Sequence, residues 1–163
     1  MIVDEYKTFP ELSDADHVAF YASIATEFYD IRAGWLNYWD YYSKLNDVFG
    51  FTLDACATKL NAVCSKFYTI DDDGIAQDWA GDVVFCNPFY DKDFPRWVEK
   101  CALEGDRGVR VVLMTAYKPQ DSWWSITEKG DLFPFSCRIN MPGSEHHHAS
   151  IPGAFIVFGG VNE

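Results

Sequence analysis

"DVVFCNPFYD", residues 82–91, is the stretch on which the fold turns. Val83 to Cys86 form a continuous apolar run, the pattern of a strand covered on both faces. The run meets Asn87-Pro88, a turn opening, because proline fixes its own φ and biases the residue before it away from helix. Viewed alone, the ten residues read first as a strand end, with Phe89 and Tyr90 as core. The neighbours decide whether the amide, the proline and the phenol do more.

Downstream, Pro95 and Gly105 delimit a helix in "FPRWVEKCALEG", Val109 to Thr115 form another fully apolar strand, and Pro119 to Lys129 suit a helix. "LFPFSCRINM" (132–141) and "GAFIVFGG" (153–160) read as two closing strands, the first demoted toward a sheet edge near Pro134. Upstream, "FGFTLDACA" (49–57) holds a short strand from Phe51 to Asp54, Thr58 to Cys64 suit a helix, and "KFYTI" (66–70) suits a strand ending in Asp71, Asp72, Asp73 and Gly74. Tyr38 to Val48 form an aromatic helix. Ser13 to Ala33 form an acidic one, with Ser13 and Asp16 as the capping pattern and Gly34 as the stop. Strands alternating with helices define an α/β fold with a mainly parallel sheet. In such sheets the ligand lies beyond the carboxyl ends of the strands. "LDACA", "DDD" and "NPFY" all fall there, so they are expected to converge in one crevice.

With 163 residues, 48% of them hydrophobic, the chain suits one globular unit. No apolar run approaches the roughly 20 residues of a membrane span, and the acidic opening "MIVDEYKTFPELSD" lacks the regions of a signal peptide. A cytoplasmic protein is expected, and the five widely spaced cysteines, Cys56, Cys64, Cys86, Cys101 and Cys137, fit reduced thiols. "EHHH" (145–148) offers metal-ligating side chains, but consecutive residues rarely converge on one ion, so no metal is assigned to His146–His148. The net charge of −12 disfavours a general nucleic-acid binder. Its distribution matters: residues 1–91 carry 16 acids and 5 bases, residues 92–163 carry 9 acids and 8 bases. A polyanion would be met by the second half.

An ordered series of motifs then carries a resemblance. Trp35, "FGFTLDACA", Asn61, "KFYTIDDDG" (66–74), Trp79, "NPFY" (87–90), Trp97, "WW" (123–124), "CRI" (137–139) and "IPGAFIVF" (151–158) follow one another as in the phage-type DNA N-6-adenine methyltransferases, which this chain resembles from about Trp35 to Gly159. The resemblance implies a Rossmann-like class I methyltransferase fold, a mainly parallel central sheet with helices on both faces and a C-terminal antiparallel hairpin. The methyltransferase-like domain would span 35–163, behind an acidic helical extension at 1–34. It also implies S-adenosylmethionine as cofactor and methyl transfer to the exocyclic amine of adenine in double-stranded DNA. That amine is a poor nucleophile, its lone pair being delocalised into the ring, and two acceptors on its hydrogens localise the pair. The resembled motif assigns this to the Asn87 side chain and the Pro88 carbonyl, within a catalytic Asn87, Pro88, Phe89, Tyr90. Tyr90 is the platform for a base drawn from the stack.

Cofactor contacts implied are Asp54 near the amino-acid end, Ala55, Cys56 and Ala57 as small residues allowing close approach, Asp71 or Asp72 on the ribose, and Trp35 and Asn37 in the flanking segment. Lys92, Arg96, Lys118, Trp123 and Arg138 are the expected DNA contacts. The chain departs from the family at Phe89, where the pattern has proline, and at Trp35-Leu36-Asn37-Tyr38, where it has "W-x-T-P". Those departures and the acidity leave an alternative open, a catalytically degenerate methyltransferase fold acting as a binding module, with an acidic N-terminal half available to a protein partner. A monomer or weak homodimer, placed in the host cytoplasm if phage-encoded, completes the expectation.

Overall fold

Val83–Cys86 does form a strand, and it lies near the middle of a six-stranded sheet. The computed structural model describes residues 35–89, 91–134, 138–140 and 153–159, so the helix expected over 13–33, Tyr90 and the run 145–148 lie outside the described residues. In chain order the elements are β1 (Trp35–Asn37), α1 (Tyr38–Phe49), β2 (Leu53–Asp54), β3 (Lys66–Phe67), a 3-10 turn (Gly74–Ala76), β4 (Val83–Cys86), α2 (Phe94–Asp106), β5 (Arg110–Ala116), a 3-10 helix (Ser122–Lys129), β6 (Asp131–Pro134), β7 (Arg138–Asn140) and β8 (Gly153–Phe158). The sheet order is β3-β2-β4-β5-β8-β6. Strands β3, β2, β4 and β5 run parallel, and β8 is antiparallel to both β5 and β6. The mainly parallel sheet with an antiparallel C-terminal pair is thus the fold that forms. β6 is an edge strand ending at Pro134, and a sheet edge is where proline is tolerated.

Both faces of the sheet are covered. Alternate residues of β4 point opposite ways: Phe85 joins Tyr41, Leu45 and Phe49 of α1, with Phe51, Val112 and Phe155, in one core cluster. Val84 and Cys86 join Phe94, Val98, Cys101 and Ala102 of α2, with Leu53, Val111 and Leu113, in the other. The i, i+4, i+8 spacing of Tyr41, Leu45 and Phe49 is what gives α1 its apolar stripe. At the amino ends, the Thr52 hydroxyl donates to Asp82 Oδ1 at 2.9 Å while Lys66 Nζ pairs with Asp82 Oδ2 at 2.5 Å, clipping three short strands together.

Three elements differ from expectation. The helix expected over Thr58–Cys64 is absent: the Thr58 amide donates to Asn61 Oδ1 (2.7 Å) and the Asn61 amide to Thr58 Oγ1 (3.2 Å), and such local side-chain bonds compete with a helical ladder. The segment after Pro119 is a 3-10 helix, with the Thr127 hydroxyl donating to the Trp124 carbonyl at 2.6 Å. The single strand expected over 132–141 is two strands: β6 stays in the main sheet, and β7 leaves it to pair in parallel with β1, Trp35 opposite Arg138.

Candidate functional site

The carboxyl ends of β2, β3 and β4 surround a cavity of about 430 Å³ lined by three segments, residues 55–59, the turn containing Asp71, Asp73 and Gly74, and the stretch from Phe89 to Trp97. Ala55, Cys56 and Ala57 of "LDACA", Asp71 and Asp73 of "DDD" and Phe89 of "NPFY" therefore meet in one crevice.

The first wall begins where β2 breaks into small residues. The Ala55 amide donates to the Phe85 carbonyl (3.0 Å) and the Ala57 amide to the Tyr68 carbonyl (2.9 Å), holding this loop between the neighbouring strands. Ala55, Cys56 and Ala57 line the cavity as expected. Asp54 is buried, and its Oδ2 accepts the Val63 amide at 3.1 Å, closing the loop that follows it. Its Oδ1 has no hydrogen-bond partner. Burial pushes the Asp54 carboxyl up to about 6, against the pull of the Val63 and Cys56 amides. Burial and the nearby Asp54 charge push the Cys56 thiol up to about 11, opposed by the Phe89 backbone amide, so it is a neutral thiol at pH 7 and not a nucleophile.

The second wall is the acidic turn. Asp71 lines the cavity, whereas the Asp72 carboxylate is spent on the turn itself, accepting the Thr69 amide (2.8 Å) and hydroxyl (3.1 Å). Asp73, in the left-handed region at φ 53, also lines the cavity and was not singled out by sequence. Gly74 lies against the Ala55 carbonyl and the Trp97 ring, so a Cβ there would collide with both. Behind it, Trp79 Nε1 donates to the Gly74 carbonyl at 2.9 Å, Lys100 Nζ lies 5.0 Å above the Trp79 ring and donates to the Gln77 carbonyl at 2.7 Å, and Glu104 pairs with Lys100 at 3.0 Å. The Lys100–Glu104 pair is an i, i+4 contact within α2, but nothing in the sequence pattern marks the reach of Lys100 to Gln77 and Trp79, which joins segments more than 20 residues apart.

The third wall follows β4. Asn87 is half-buried, Pro88 is buried and Phe89 is 71% exposed at the cavity mouth. The Asp91 amide donates to the Phe89 carbonyl at 3.0 Å, and Asp91 Oδ1 accepts the Asp93 amide at 2.8 Å, tightening the passage into α2. Of the expected DNA contacts, Lys92 is exposed, Lys118 is half-buried just past β5, Arg96 lines the cavity 3.6 Å from Asp93, and Trp123 is buried against Phe94. The backbones of Trp35 and Asn37 are joined to Arg138 and Asn140 by the β1–β7 pairing.

A parallel α/β sheet with an apolar-and-acidic cavity over its first strands and an Asn-Pro turn at the next strand end defines a methyltransferase-like protein. Residues 26–148, about three quarters of the chain, match the family described as DNA N-6-adenine-methyltransferase (Dam), and the chain belongs to that family. No curated protein matches the sequence. The family's activity is N6-methylation of adenine in DNA. Among the described residues, no helix is long and apolar enough to cross a membrane.

Proposed function

We propose that this chain transfers a methyl group from S-adenosylmethionine to the exocyclic amine of adenine in DNA, and that Asn87 and Pro88 hold that amine. The observation that carries the reading is the convergence on one cavity of about 430 Å³ of the loop after β2, the acidic turn after β3 and Phe89, the residue that directly follows Asn87-Pro88 after β4. Its volume falls within the range of small-molecule sites. The lining suits the cofactor: Asp71 and Asp73 offer acceptors to ribose hydroxyls, and Tyr68, Ile75 and Trp97 offer apolar surface to a purine. Asp54, buried one residue before the lining begins at Ala55, carries a partnerless Oδ1, an acceptor of the kind an ammonium group would take.

When bound, the cofactor supplies an electrophilic methyl on a sulfonium sulfur. The protein does the rest by placement. The Asn87 oxygen and the Pro88 carbonyl accept the two amine hydrogens and localise the lone pair; Pro88 is buried, and its ring fixes its φ. Tyr90 stacks on the extruded base, recovering part of the few kcal/mol that unstacking costs. Phe89 differs from the family's proline in retaining a backbone amide, which opposes the upward push of burial on the Cys56 thiol.

Mass spectrometry of nucleosides from DNA co-expressed with the protein tests the reading. Asn87→Ala is expected to lower methyladenine 100- to 1,000-fold, the cost of losing one preorganised polar partner, about 3–4 kcal/mol, with the fold and cofactor affinity retained. Phe89→Pro is expected to hold or raise the level. Equal methyladenine from wild type and Asn87→Ala removes the catalytic claim, and none from any variant favours a binding module.

A further inference from the structure

We propose that Tyr117 is a nucleobase-stacking residue on the DNA-facing side of the site, a role that rests on the reading of Asn87-Pro88 as the adenine-amine holder. β4 and β5 run parallel with Cys86 opposite Leu113, so the carboxyl end of β5 rises beside the turn that begins at Asn87. Tyr117 is the first residue beyond it. Among the described residues the cavity wall is built from the other side of that turn, by the segments after β2 and β3 and by residues 89–97. A purine delivered to Asn87 from outside the cavity therefore meets the end of β5.

What stands there is an aromatic ring that is exposed yet fixed. Tyr117 is 42% exposed and packs edge-on against Trp124, at 5.2 Å and 83°. Trp124 leans on Trp123 at 5.4 Å, and Trp123 meets Phe94, a fully covered residue at the start of α2, at 4.9 Å. This ladder runs from the core to the surface and leaves its last ring in water. An aromatic ring already oriented loses little entropy on stacking, and a base offers it a π-face whatever the sequence. Lys118 is the next residue in the chain, and a phosphate accompanies each base. The buried Trp123, expected from sequence as a DNA contact, is the support of this ladder, and Tyr117 is its working end.

Fluorescence anisotropy at low salt with two labelled single strands, a twelve-residue oligodeoxyadenylate and the same strand with central abasic sites, reads the stacking without knowledge of a target sequence. Wild type is expected to prefer the intact strand by roughly tenfold, within the range of a single base–aromatic stack. Tyr117→Phe should keep that preference, whereas Tyr117→Ala and Tyr117→Leu should bring the two strands close to equal. Tyr117→Leu keeps apolar cover over Trp124, so its melting temperature should match wild type and separate stacking from folding. An absent preference in wild type, or one unchanged in both truncating variants, overturns the proposal. Methyl transfer missing from every variant while the base preference persists would sink the methylation reading and leave Tyr117 in its role.

Discussion

Asp54 sits almost wholly out of solvent with one carboxylate oxygen on the Val63 amide and the other without a hydrogen bond. Its carboxyl is raised from 3.8 to about 6, chiefly by burial. Between those values the folded state binds more protons than the unfolded one, so this group's contribution to stability falls as pH rises from about 4 to about 6 and is constant above. Urea denaturation across pH 4–7 should therefore show a downward slope, on the order of 2–3 kcal/mol in total, that is missing in Asp54→Asn. A cationic ligand at the free oxygen reverses the preference, because it favours the carboxylate. Calorimetric affinity for S-adenosylmethionine should accordingly drop as pH falls from 7 to 5 in wild type and stay level in Asp54→Asn. The sequence made Asp54 visible as the polar residue ending an apolar strand. It could not show that one of its oxygens is already taken by Val63, since that contact depends on how the loop folds back.

The elements divide by the kind of signal that specifies them. α1, α2, β4, β5 and β8 were legible because each is long enough for its apolar residues to repeat at the period of a helix or to run unbroken through a sheet. Residues 58–64 were not, because Thr58 and Asn61 satisfy each other's amides and override a weak helical pattern. β7 was not, because its partner is β1, about a hundred residues earlier. α2 also carries a glycine that propensity alone would reject. A Cβ on Gly105 would meet the Gly159 amide nitrogen and the Phe158 Cβ, each at 2.7 Å, so the glycine lets the helix approach the end of β8. Replacing it with alanine gains about 1 kcal/mol of helix propensity, yet overpacking costs typically 1–3 kcal/mol. Gly105→Ala should thus lower the urea midpoint, or at best leave it unchanged, whereas an open helix site would gain. A raised midpoint would show that α2 and β8 are not held at this distance.

For the whole molecule the governing quantity is charge. A net −12 repels DNA at long range, and screening by salt weakens that repulsion while also weakening every Lys or Arg contact with phosphate. The two effects oppose each other, and local contacts win wherever counterions are released, since each neutralised phosphate adds about 0.9 to the slope of log affinity against log salt. The bases able to do this lie after Asp91: Lys92 is exposed, Lys118 adjoins Tyr117, and Arg138 belongs to the β1–β7 pair, whereas Arg96 is drawn to Asp93 in the cavity wall. DNA affinity measured between 50 and 200 mM salt, a span of conditions on the order of those that resolve phosphate contacts, should fall with a shallow slope. Lys118→Ala or Arg138→Ala should reduce that slope by about 1 each, and charge-neutral changes at Asp14 and Asp16 should leave it as it is. A slope indifferent to every basic substitution, accompanied by tight capture of a DNA-binding protein, would mean that the acidic half reaches DNA through that partner and that the fold's own cations do not touch the duplex.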